Sequence, residues 1–528
     1  MENNFNLACA IHRHSLNTPD APAIVSLGQS LSYASLASRA AAIAHCLQQV
    51  GATAAVDGQL PRIGILASRS LTACTALIGA AWAGATYVPI GLKLPEERLQ
   101  ALLALCRLSA IITDDEGAKL LTERVLDASP ATIVCLGQRP AVADRHAARL
   151  LQLPEHSPES PGAPPAPAPV AADDTAYIIF TSGTTGLPKG VMIPAGAARH
   201  YIATITDHLG LQAADRALET CELGFDFSVH NMFPTWEAGA ALHILPATRV
   251  MNAVKFAVDS GLTVWNSVPS LAGMLRQIKA LKPASLASLR LTVFGGEQLP
   301  AGVVAAWQAA APNSAIFNLY GPTEATVFCL AQSGDLPLTP GRDVVAIGRP
   351  LPGSEAAVLD PQGRPVADGT PGELAIAGLQ LAAGYLGAPT LTAARFPDYD
   401  GQRWYLTGDQ AIRDASGTFH CLGRIDNQVK IHGYRVELEE IDAHLRIVTG
   451  AAVVGSVAWP CVDGTPRGIV SIIGAGSADS EQIIAALKQR IPAYMVPSRV
   501  IAQENLPLNQ SGKVDRNALR LWLDRDAA

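Results

Sequence analysis

A loop rich in glycine and hydroxylated residues follows an apolar run at residues 177–190 (YIIFTSGTTGLPKG) and carries a lysine near its end. Glycines let backbone N–H groups approach a phosphate closely, and serine and threonine hydroxyls donate hydrogen bonds to its oxygens. The loop is not a Walker A motif, because Lys189 lies between Pro188 and Gly190. We predict that this is a phosphate-binding loop; the alternative interpretation is a flexible loop that binds no ligand. Its ligands would be Thr181, Ser182, Gly183, Thr184, Thr185, Gly186 and Lys189.

The other residues that could do chemistry lie in short polar motifs. These are residues 225–228 (FDFS), 318–324 (NLYGPTE), 405–409 (YLTGD), 423–437 (GRIDNQVKIHGYRVE) and 509–516 (NQSGKVDR). Taken singly, each charged residue also has an ordinary interpretation. Asp226 is a candidate helix N-cap, Glu324 suits the first turn of a helix, and Lys513 resembles a solvated lysine in a polar tail. No single motif therefore decides the function.

The elements that must position these motifs alternate along the first part of the chain. The pattern predicts strands at 63–66, 86–90 and 110–113, and helices at 71–82 and 95–106. Strand–helix alternation of this kind is typical of stacked βαβ units with parallel sheets. The proline-rich stretch 154–169 is predicted to be an extended surface connection. The fold class is therefore α/β.

A smaller second domain is predicted after Gly423. Residues 429–437 read as a hairpin with Gly433 and Tyr434 near its turn, followed by a helix through Leu445 and a further helix at 481–490. About 100 residues is an ordinary size for a small α+β domain. We predict a large N-terminal domain at 1–424 and a small mobile one at 425–528. The chain would leave no room for a further carrier domain.

Composition excludes several classes of protein. The 528 residues exceed what one hydrophobic core usually holds, and the net charge of −7 argues against nucleic acid or an anionic membrane as a partner. The nine cysteines form no CxxC pair, which indicates reduced thiols. No signal-peptide core begins the chain. The uncharged stretch 70–92 is long enough for a membrane span, but we interpret it as a buried helix that runs into a core strand, in a cytoplasmic protein.

Taken in order, the motifs resemble the adenylate-forming superfamily. Its members include acyl-CoA synthetases, firefly luciferase and the adenylation domains of nonribosomal peptide synthetases. The resemblance covers nearly the whole chain, and it includes residues 31–36 (LSYASL), 83–90 (AGATYVPI), 372–386 (GELAIAGLQLAAGYL) and 491–497 (IPAYMVP) besides the motifs above. It implies a large and a small domain joined by a hinge, with Asp426 at the hinge.

The resemblance also implies a chemistry in which ATP and Mg²⁺ activate a carboxylic acid as its adenylate. Such a reaction needs charge neutralisation and positioning more than covalent work by the protein. It makes Lys513, Glu324 and Thr184 catalytic, with Glu324 on the metal. Tyr320 would stack on adenine, and Asp409 would accept the ribose hydroxyls with Arg424 nearby. The ATP-binding set is Thr181, Ser182, Gly183, Thr184, Thr185, Gly186, Lys189, Tyr320, Gly321, Thr323, Asp409 and Arg424.

Asp226 discriminates between acids, because amino-acid-activating members of the superfamily pair this aspartate with the substrate's α-ammonium. A carboxylate facing a pocket favours a zwitterion over a fatty acid. The pocket-lining positions carried over by resemblance are Asp226, Phe227, His230, Asn266, Val293, Gly295, Leu319, Val327 and Phe328, completed by Lys513. The set is most similar to a threonine-type pattern, from which His230 and Phe328 depart. Threonine is the first expectation, followed by serine, alanine, valine and 2-aminobutyrate.

The predicted function is a stand-alone amino acid–carrier protein ligase that forms AMP. It would pass the amino acid to the phosphopantetheine thiol of a separate carrier protein in nonribosomal peptide or secondary-metabolite synthesis, with a small helper protein as a possible partner. The alternatives are a D-alanine–carrier protein ligase of the cell envelope, an acyl- or aryl-CoA synthetase, and a non-catalytic adenylate-binding protein. Tolerance of acids that lack an amine, and the stereochemistry of the substrate, separate these alternatives.

Overall fold

The computed structural model contains two large β-sheets. It describes residues 4–137, 150–153, 163–182, 188–431, 433–462, 465–474, 479–504, 506–508 and 514–526. The chain divides into two compact units. Unit 1 comprises Met1–Leu92, Leu103–Phe180 and Gly190–Leu422, and unit 2 comprises Lys93–Leu102, Thr181–Lys189 and Gly423–Ala528. A functional boundary at 424/425 with a hinge at Asp426 stays a prediction.

The first sheet of unit 1 is mostly parallel. Its strands in spatial order are Arg349–Pro350, Leu330–Ser333, Ala315–Tyr320, Leu291–Gly295, Val264–Ser267, Arg216–Glu219, Ala241–Ile244, Pro22–Ser26 and Gln29–Ser32. Helices Ala195–His208, Phe227–Glu237, Ala253–Asp259, Pro269–Gln277 and Ala301–Ala310 connect or flank them. Parallel strands need such crossovers, and their carboxyl ends lie at one edge of the sheet, where ligands of α/β proteins bind.

The second sheet has the order Gly384–Tyr385, Lys189–Pro194, Thr175–Thr181, Thr86–Pro89, Arg62–Leu66, Ala110–Thr113, Ile133–Leu136 and Leu150–Leu153. A third, antiparallel sheet contains Ser354–Leu359, Gly372–Gly378, Tyr405–Arg413 and Phe419–Arg424. The other helices of unit 1 are Cys9–Asn17, Tyr33–Gln49, Leu71–Trp82, Asp115–Ala118, Glu123–Ala128 and Pro389–Arg395. Helix Glu96–Cys106 begins in unit 2 and ends in unit 1. The predicted α/β class and the predicted early strands and helices are confirmed.

The uncharged stretch 70–92 forms a buried helix and a core strand, as predicted. Helix Leu71–Trp82 packs on helix Tyr33–Gln49, and a Cβ at Gly79 would come within 2.6 Å of the Cβ of Ile43. A side chain at position 79 would therefore push the two helices apart. In the described part of the chain, no helix is long and apolar enough to cross a membrane.

Unit 2 contains the predicted hairpin and helices. Strand Gln428–Ile431 pairs antiparallel with Tyr434–Glu437, and Gly433 at the turn has a φ of +83°. A three-stranded sheet of Val454–Ala458, Ile469–Ile473 and Arg499–Ala502 packs with helices Leu438–Thr449, Ser480–Lys488 and Arg516–Asp526. The proline-rich stretch lies outside the described residues from 154 to 162. Residues 163–169 form no helix or strand and are held by the Trp82 indole, which donates to the Pro165 carbonyl at 3.0 Å.

Candidate active site

Three parallel strands of the first sheet place one wall of the predicted amino-acid pocket. Asn266 lies opposite Val293 in the register, and Gly295 lies opposite Leu319. Because side chains alternate along a strand, these four positions share one face of the sheet. All four are buried, and in the part of the chain that the structure describes the amide oxygen of Asn266 has no hydrogen-bond partner. A buried acceptor of this kind is costly unless a ligand satisfies it.

Phe328 closes over this wall because position 295 is a glycine. A Cβ at Gly295 would lie 2.6 Å from Cε1 of Phe328, so any side chain there would displace the ring. Phe328 in turn makes edge-to-face contacts with Phe227 at 5.1 Å and with His230 at 5.3 Å between ring centroids. Phe227 and His230 meet at 5.5 Å. The three predicted pocket residues thus form one mutually packed aromatic group, an arrangement that aromatic quadrupoles favour.

His230 is buried and neutral. It is 2% exposed, and burial lowers the pKa of its imidazole to about 3. Its Nδ1 lies 2.6 Å from the hydroxyl of Tyr201, which is on the neighbouring helix Ala195–His208. The aromatic group thus contains a neutral imidazole that is held by a hydrogen bond.

Asp226 stands immediately before helix Phe227–Glu237, but its side chain makes no capping hydrogen bond. Asp226 therefore occupies the N-cap position that the sequence allows, but its side chain does not cap the helix. Asp226 is half-buried. Burial of Tyr201, together with the negative charge of Asp226, raises the pKa of the Tyr201 hydroxyl well above the ordinary value. Asp226 immediately precedes Phe227 of the aromatic group, and a carboxylate is the kind of group that pairs with an ammonium ion.

The loop 321–329 joins strands Ala315–Tyr320 and Leu330–Ser333 and contains several predicted site residues. Thr326 and Val327 have φ values of +53° and +69°, which β-branched residues rarely adopt. A Cβ at Gly321 would come within 2.5 Å of the Cα of Phe328, so only glycine lets the loop fold back on itself. Thr323 and Glu324 form a short 3₁₀ turn in this loop.

Gln380 holds the strained part of the loop in place. Its Nε2 donates to the carbonyl of Phe328 at 2.8 Å and, more weakly, to those of Ala325 and Thr326 at 3.3 and 3.4 Å. The Thr326 hydroxyl donates back to the Gln380 carbonyl at 2.5 Å. Gln380 is 1% exposed, so these bonds are made out of contact with solvent, where leaving them unmade is expensive.

Two carboxylates predicted for the nucleotide and metal each accept a hydrogen bond from a tyrosine. The Tyr385 hydroxyl donates to Oε1 of the fully buried Glu324 at 2.8 Å, and the Tyr320 hydroxyl donates to Oδ2 of Asp409. Burial and the Asp409 charge raise the pKa of Tyr320 well above the ordinary value, so it remains a donor. Tyr320, predicted to stack on adenine, thus also orients the acid predicted for the ribose.

Two of the predicted nucleotide-binding residues that fall in unit 2, Ser182 and Lys189, have partners within that unit. The Ser182 hydroxyl donates to the Arg435 carbonyl at 2.8 Å, and Nζ of Lys189 lies 3.6 Å from Oε1 of Glu437. The Thr181 hydroxyl is buried with no partner among the described residues. Gly183, Thr184, Thr185, Gly186 and Lys513 lie outside the described residues.

Arg424 forms a two-pronged ion pair with the predicted hinge residue. Its Nε and Nη2 lie 2.9 and 2.7 Å from the two carboxylate oxygens of Asp426, which also accepts from the Gln428 backbone N–H at 3.1 Å. Bidentate arginine–carboxylate geometry is stronger and more directional than a single contact. The segment at the predicted hinge is therefore held by side-chain hydrogen bonds.

Sequence reasoning missed three residues that support the site, namely Tyr201, Gln380 and Tyr385. Gln380 and Tyr385 lie in the motif at 372–386, whose sequence does not indicate which groups their side chains contact. Tyr201 lies in a helix with no motif. Its role depends on a contact with a residue 29 positions away, which no local pattern signals.

Comparison with known proteins identifies the class to which this site belongs. A model of the family described as AMP-binding enzyme matches residues 11–386. Novobiocin biosynthesis protein H of Streptomyces niveus is 34% identical over 509 residues, which is 95% of this chain and 80% of that protein. The chain belongs to the AMP-binding enzyme family. It is an adenylation domain of the adenylate-forming, nonribosomal-peptide-synthetase type, and such enzymes use ATP.

Two further proteins refine the comparison. Pyochelin synthetase PchF of Pseudomonas aeruginosa is 36% identical over 448 residues, and the chain covers 23% of its length against 83% of its own. The adenylation domain AlmE of Vibrio cholerae, solved in complex with glycyl-adenosine-5'-phosphate, superposes with a TM-score of 0.86 at 28% identity over 99% of this chain and 98% of that one. The predicted superfamily is thereby confirmed.

Proposed function

We propose that the protein converts a small neutral amino acid into its aminoacyl adenylate and passes the aminoacyl group to the phosphopantetheine thiol of a separate carrier protein. The observation that carries this proposal is Asp226, a half-buried carboxylate that makes no helix cap and lies beside a pocket of neutral groups. It complements the α-ammonium of an amino acid and penalises an acid without one. This argues for an amino acid over the fatty and aryl acids of acyl-CoA synthetases.

The reaction has two balanced steps. In the first, a carboxylate oxygen of the amino acid bonds to the α-phosphorus of ATP and pyrophosphate leaves with the electrons of the broken P–O bond. In the second, the carrier thiolate attacks the acyl carbon and AMP leaves. Asp226 would hold the ammonium, Asp409 the ribose, and Lys513 and Thr184 the charge that develops on the phosphate.

Glu324 is a reasonable ligand for Mg²⁺. It is a fully buried carboxylate oriented by Tyr385, and carboxylate oxygen is what a hard cation prefers. The described residues contain no group of three or more metal-ligating side chains. That agrees with an ion bound by one carboxylate and substrate phosphates, the usual arrangement for Mg²⁺. Bound there, the ion would neutralise phosphate charge.

Threonine stays the first candidate substrate, with serine, alanine, valine and 2-aminobutyrate behind it. The aromatic group of Phe227, His230 and Phe328 supports a small side chain, and the unsatisfied Asn266 oxygen supports a polar one. The glycyl adenylate bound by AlmE supports a small amino acid in this fold. A D-alanine–carrier protein ligase is the second candidate, since alanine also fits this description.

Transfer to a carrier implies a change of conformation after adenylation, which the hinge at Asp426 would allow. Release of the Arg424–Asp426 pair would be part of that motion. Asp426→Pro should therefore impair one half-reaction more than the other. Equal loss of both, measured as pyrophosphate exchange and as carrier loading, would argue against a hinge at this position.

The proposal is tested by ATP consumption with hydroxylamine trapping across the proteinogenic amino acids, both enantiomers of alanine and threonine, and a set of fatty and aryl acids. Preference for L-threonine or a close relative is expected. Preference for D-alanine would favour the second candidate, a D-alanine–carrier protein ligase of the cell envelope. Turnover only with acids that lack an amine would refute the role of Asp226. Loading of a phosphopantetheinylated carrier added in trans then tests the second step.

A further inference from the structure

Tyr201 lies behind the proposed amino-acid pocket, where it has one polar contact. Its side chain is fully buried, and among the described residues the hydroxyl reaches a single hydrogen-bond partner, Nδ1 of His230 at 2.6 Å. Burial and the charge of Asp226 keep the phenol protonated, since both raise its pKa well above the ordinary value. The hydroxyl therefore has a hydrogen to donate, and Nδ1 of His230 is its one acceptor among the described residues.

This contact decides the tautomer of His230. The imidazole is neutral, because burial lowers its pKa to about 3, so one ring nitrogen carries a hydrogen and the other accepts. If Nδ1 carried the hydrogen, the phenolic hydrogen of Tyr201 would be buried without an acceptor, which costs about 1–3 kcal/mol. The favoured arrangement has Tyr201 donating to Nδ1 and the imidazole hydrogen on Nε2.

The Nε2–H group is then the free polar end of the ring. Within the described residues, the contacts of His230 are the Tyr201 hydrogen bond and the ring contacts with Phe227, Phe328 and Tyr201, none of which accepts from Nε2. Phe328 lies against Gly295 on the same wall that carries the unpartnered Asn266 oxygen. Among the predicted pocket residues, His230 thus supplies a donor and Asn266 an acceptor, the two kinds of group that complement a hydroxyl.

We propose that Tyr201 is a positioning residue for substrate selection: by donating to Nδ1 of His230 it fixes Nε2–H as a hydrogen-bond donor, so that the pocket selects amino acids with an oxygen on a short side chain. The inference rests on the proposed function, because it assumes that an amino acid binds beside Asp226. It adds a residue outside the pocket lining to those that determine specificity, and it names hydroxylated amino acids as the substrate class.

The test compares wild type, Tyr201→Phe and a matched control, Tyr33→Phe. Tyr33 is also fully buried, and its hydroxyl donates to the Ala240 carbonyl at 2.8 Å, so both variants leave one buried acceptor unsatisfied. Pyrophosphate exchange is measured with threonine against 2-aminobutyrate and with serine against alanine, because the members of each pair differ only by the side-chain hydroxyl. Tyr201→Phe should lower the preference for the hydroxylated partner about tenfold through KM, with KM for ATP unchanged. Tyr33→Phe should leave the preference unchanged.

A second readout is independent of turnover. Nitrogen-15 NMR of histidine-labelled protein, with the His230 signals assigned by their loss in His230→Gln, should show hydrogen on Nε2 and none on Nδ1. A hydrogen on Nδ1 would overturn the inference, as would an unchanged preference in Tyr201→Phe or an equal loss for both members of each pair. Failure to adenylate any amino acid would instead overturn the proposed function. Equal wild-type rates with threonine and 2-aminobutyrate would overturn only the present inference.

Discussion

The two ends of the site in unit 1 are built from different kinds of groups. At the proposed nucleotide end, Glu324 and Asp409 are acids, each oriented by a tyrosine hydroxyl. At the proposed amino-acid end, apart from Asp226, the groups are neutral: an imidazole with a pKa of about 3, two phenyl rings and an amide. Acids can bind a metal ion or the ribose of ATP, which are the same whichever amino acid is used. Neutral groups distinguish one amino acid from another by shape and hydrogen bonding. Changes at the first end should affect all substrates alike, and changes at the second should alter the choice among them.

The largest effect is expected for Glu324→Gln. The substitution keeps the shape and the Tyr385 hydrogen bond but removes the charge that would face Mg²⁺. Pyrophosphate exchange should decrease at least about 100-fold with every amino acid, as for the loss of one transition-state electrostatic contact. Tyr385→Phe, which removes the hydrogen bond to Glu324, should decrease pyrophosphate exchange less than Glu324→Gln does. The division between the two ends would break down if Glu324→Gln changed the ranking of amino acids instead of the overall rate.

Asp226→Asn should have the next largest effect. The amide fills the same volume but cannot pair with an ammonium ion, and removing one partner of a desolvated charge pair costs about 2 kcal/mol or more, roughly thirtyfold in kcat/KM. The loss should appear in KM for every amino acid and leave KM for ATP unchanged. Equal activity in the variant and wild type would remove the basis for an amino acid as substrate.

The sequence predicts those features of the fold and the proposed site that depend on local sequence patterns. Strand alternation and the ordered motifs predict the α/β fold and the positions of Asp226 and Glu324. The conformation of Thr326 and Val327 is not predictable in the same way, because β-branched residues argue against a positive φ. Gln380, more than fifty residues away, holds this segment by hydrogen bonds to the carbonyls of Thr326 and Phe328. Long-range partners of this kind have no local signature.

Gln380→Leu tests whether the strained loop links the two ends. Leucine has a similar volume but cannot bond to the Phe328 and Ala325 carbonyls, so we expect a loss of about 1–3 kcal/mol in the free energy of unfolding. Because the loop carries both Glu324 and Phe328, activity should decrease about tenfold and the ranking of amino acids should become less sharp. Urea unfolding and pyrophosphate exchange measure the two effects. A variant with normal stability and normal ranking would show that the loop holds its shape without Gln380.

The smallest effect on activity is expected at Glu219, a buried acid behind the pocket. It accepts from the Cys221 backbone N–H and from the Asn231 amide, and burial raises its pKa to about 7 despite the nearby Arg69, with Glu222 raising it further. The ordinary value is 4.5, so the folded protein holds this proton more tightly than the unfolded chain does. The resulting stability is complete below about pH 4.5 and is lost as the pH rises through about 7.

In Glu219→Gln the slope of the free energy of unfolding between pH 5 and 7 should therefore be less negative than in wild type, by at most about 1.4 kcal/mol per pH unit. Pyrophosphate exchange should be unchanged, since Glu219 touches neither proposed substrate. Urea unfolding at several pH values gives the slope, and Glu222→Gln, next to the same site but half-buried, is the control. An identical slope in wild type and Glu219→Gln would mean that Glu219 is ionised in the folded protein. The pocket would then have a second charge close behind it, and its neutrality would no longer distinguish it from the nucleotide end.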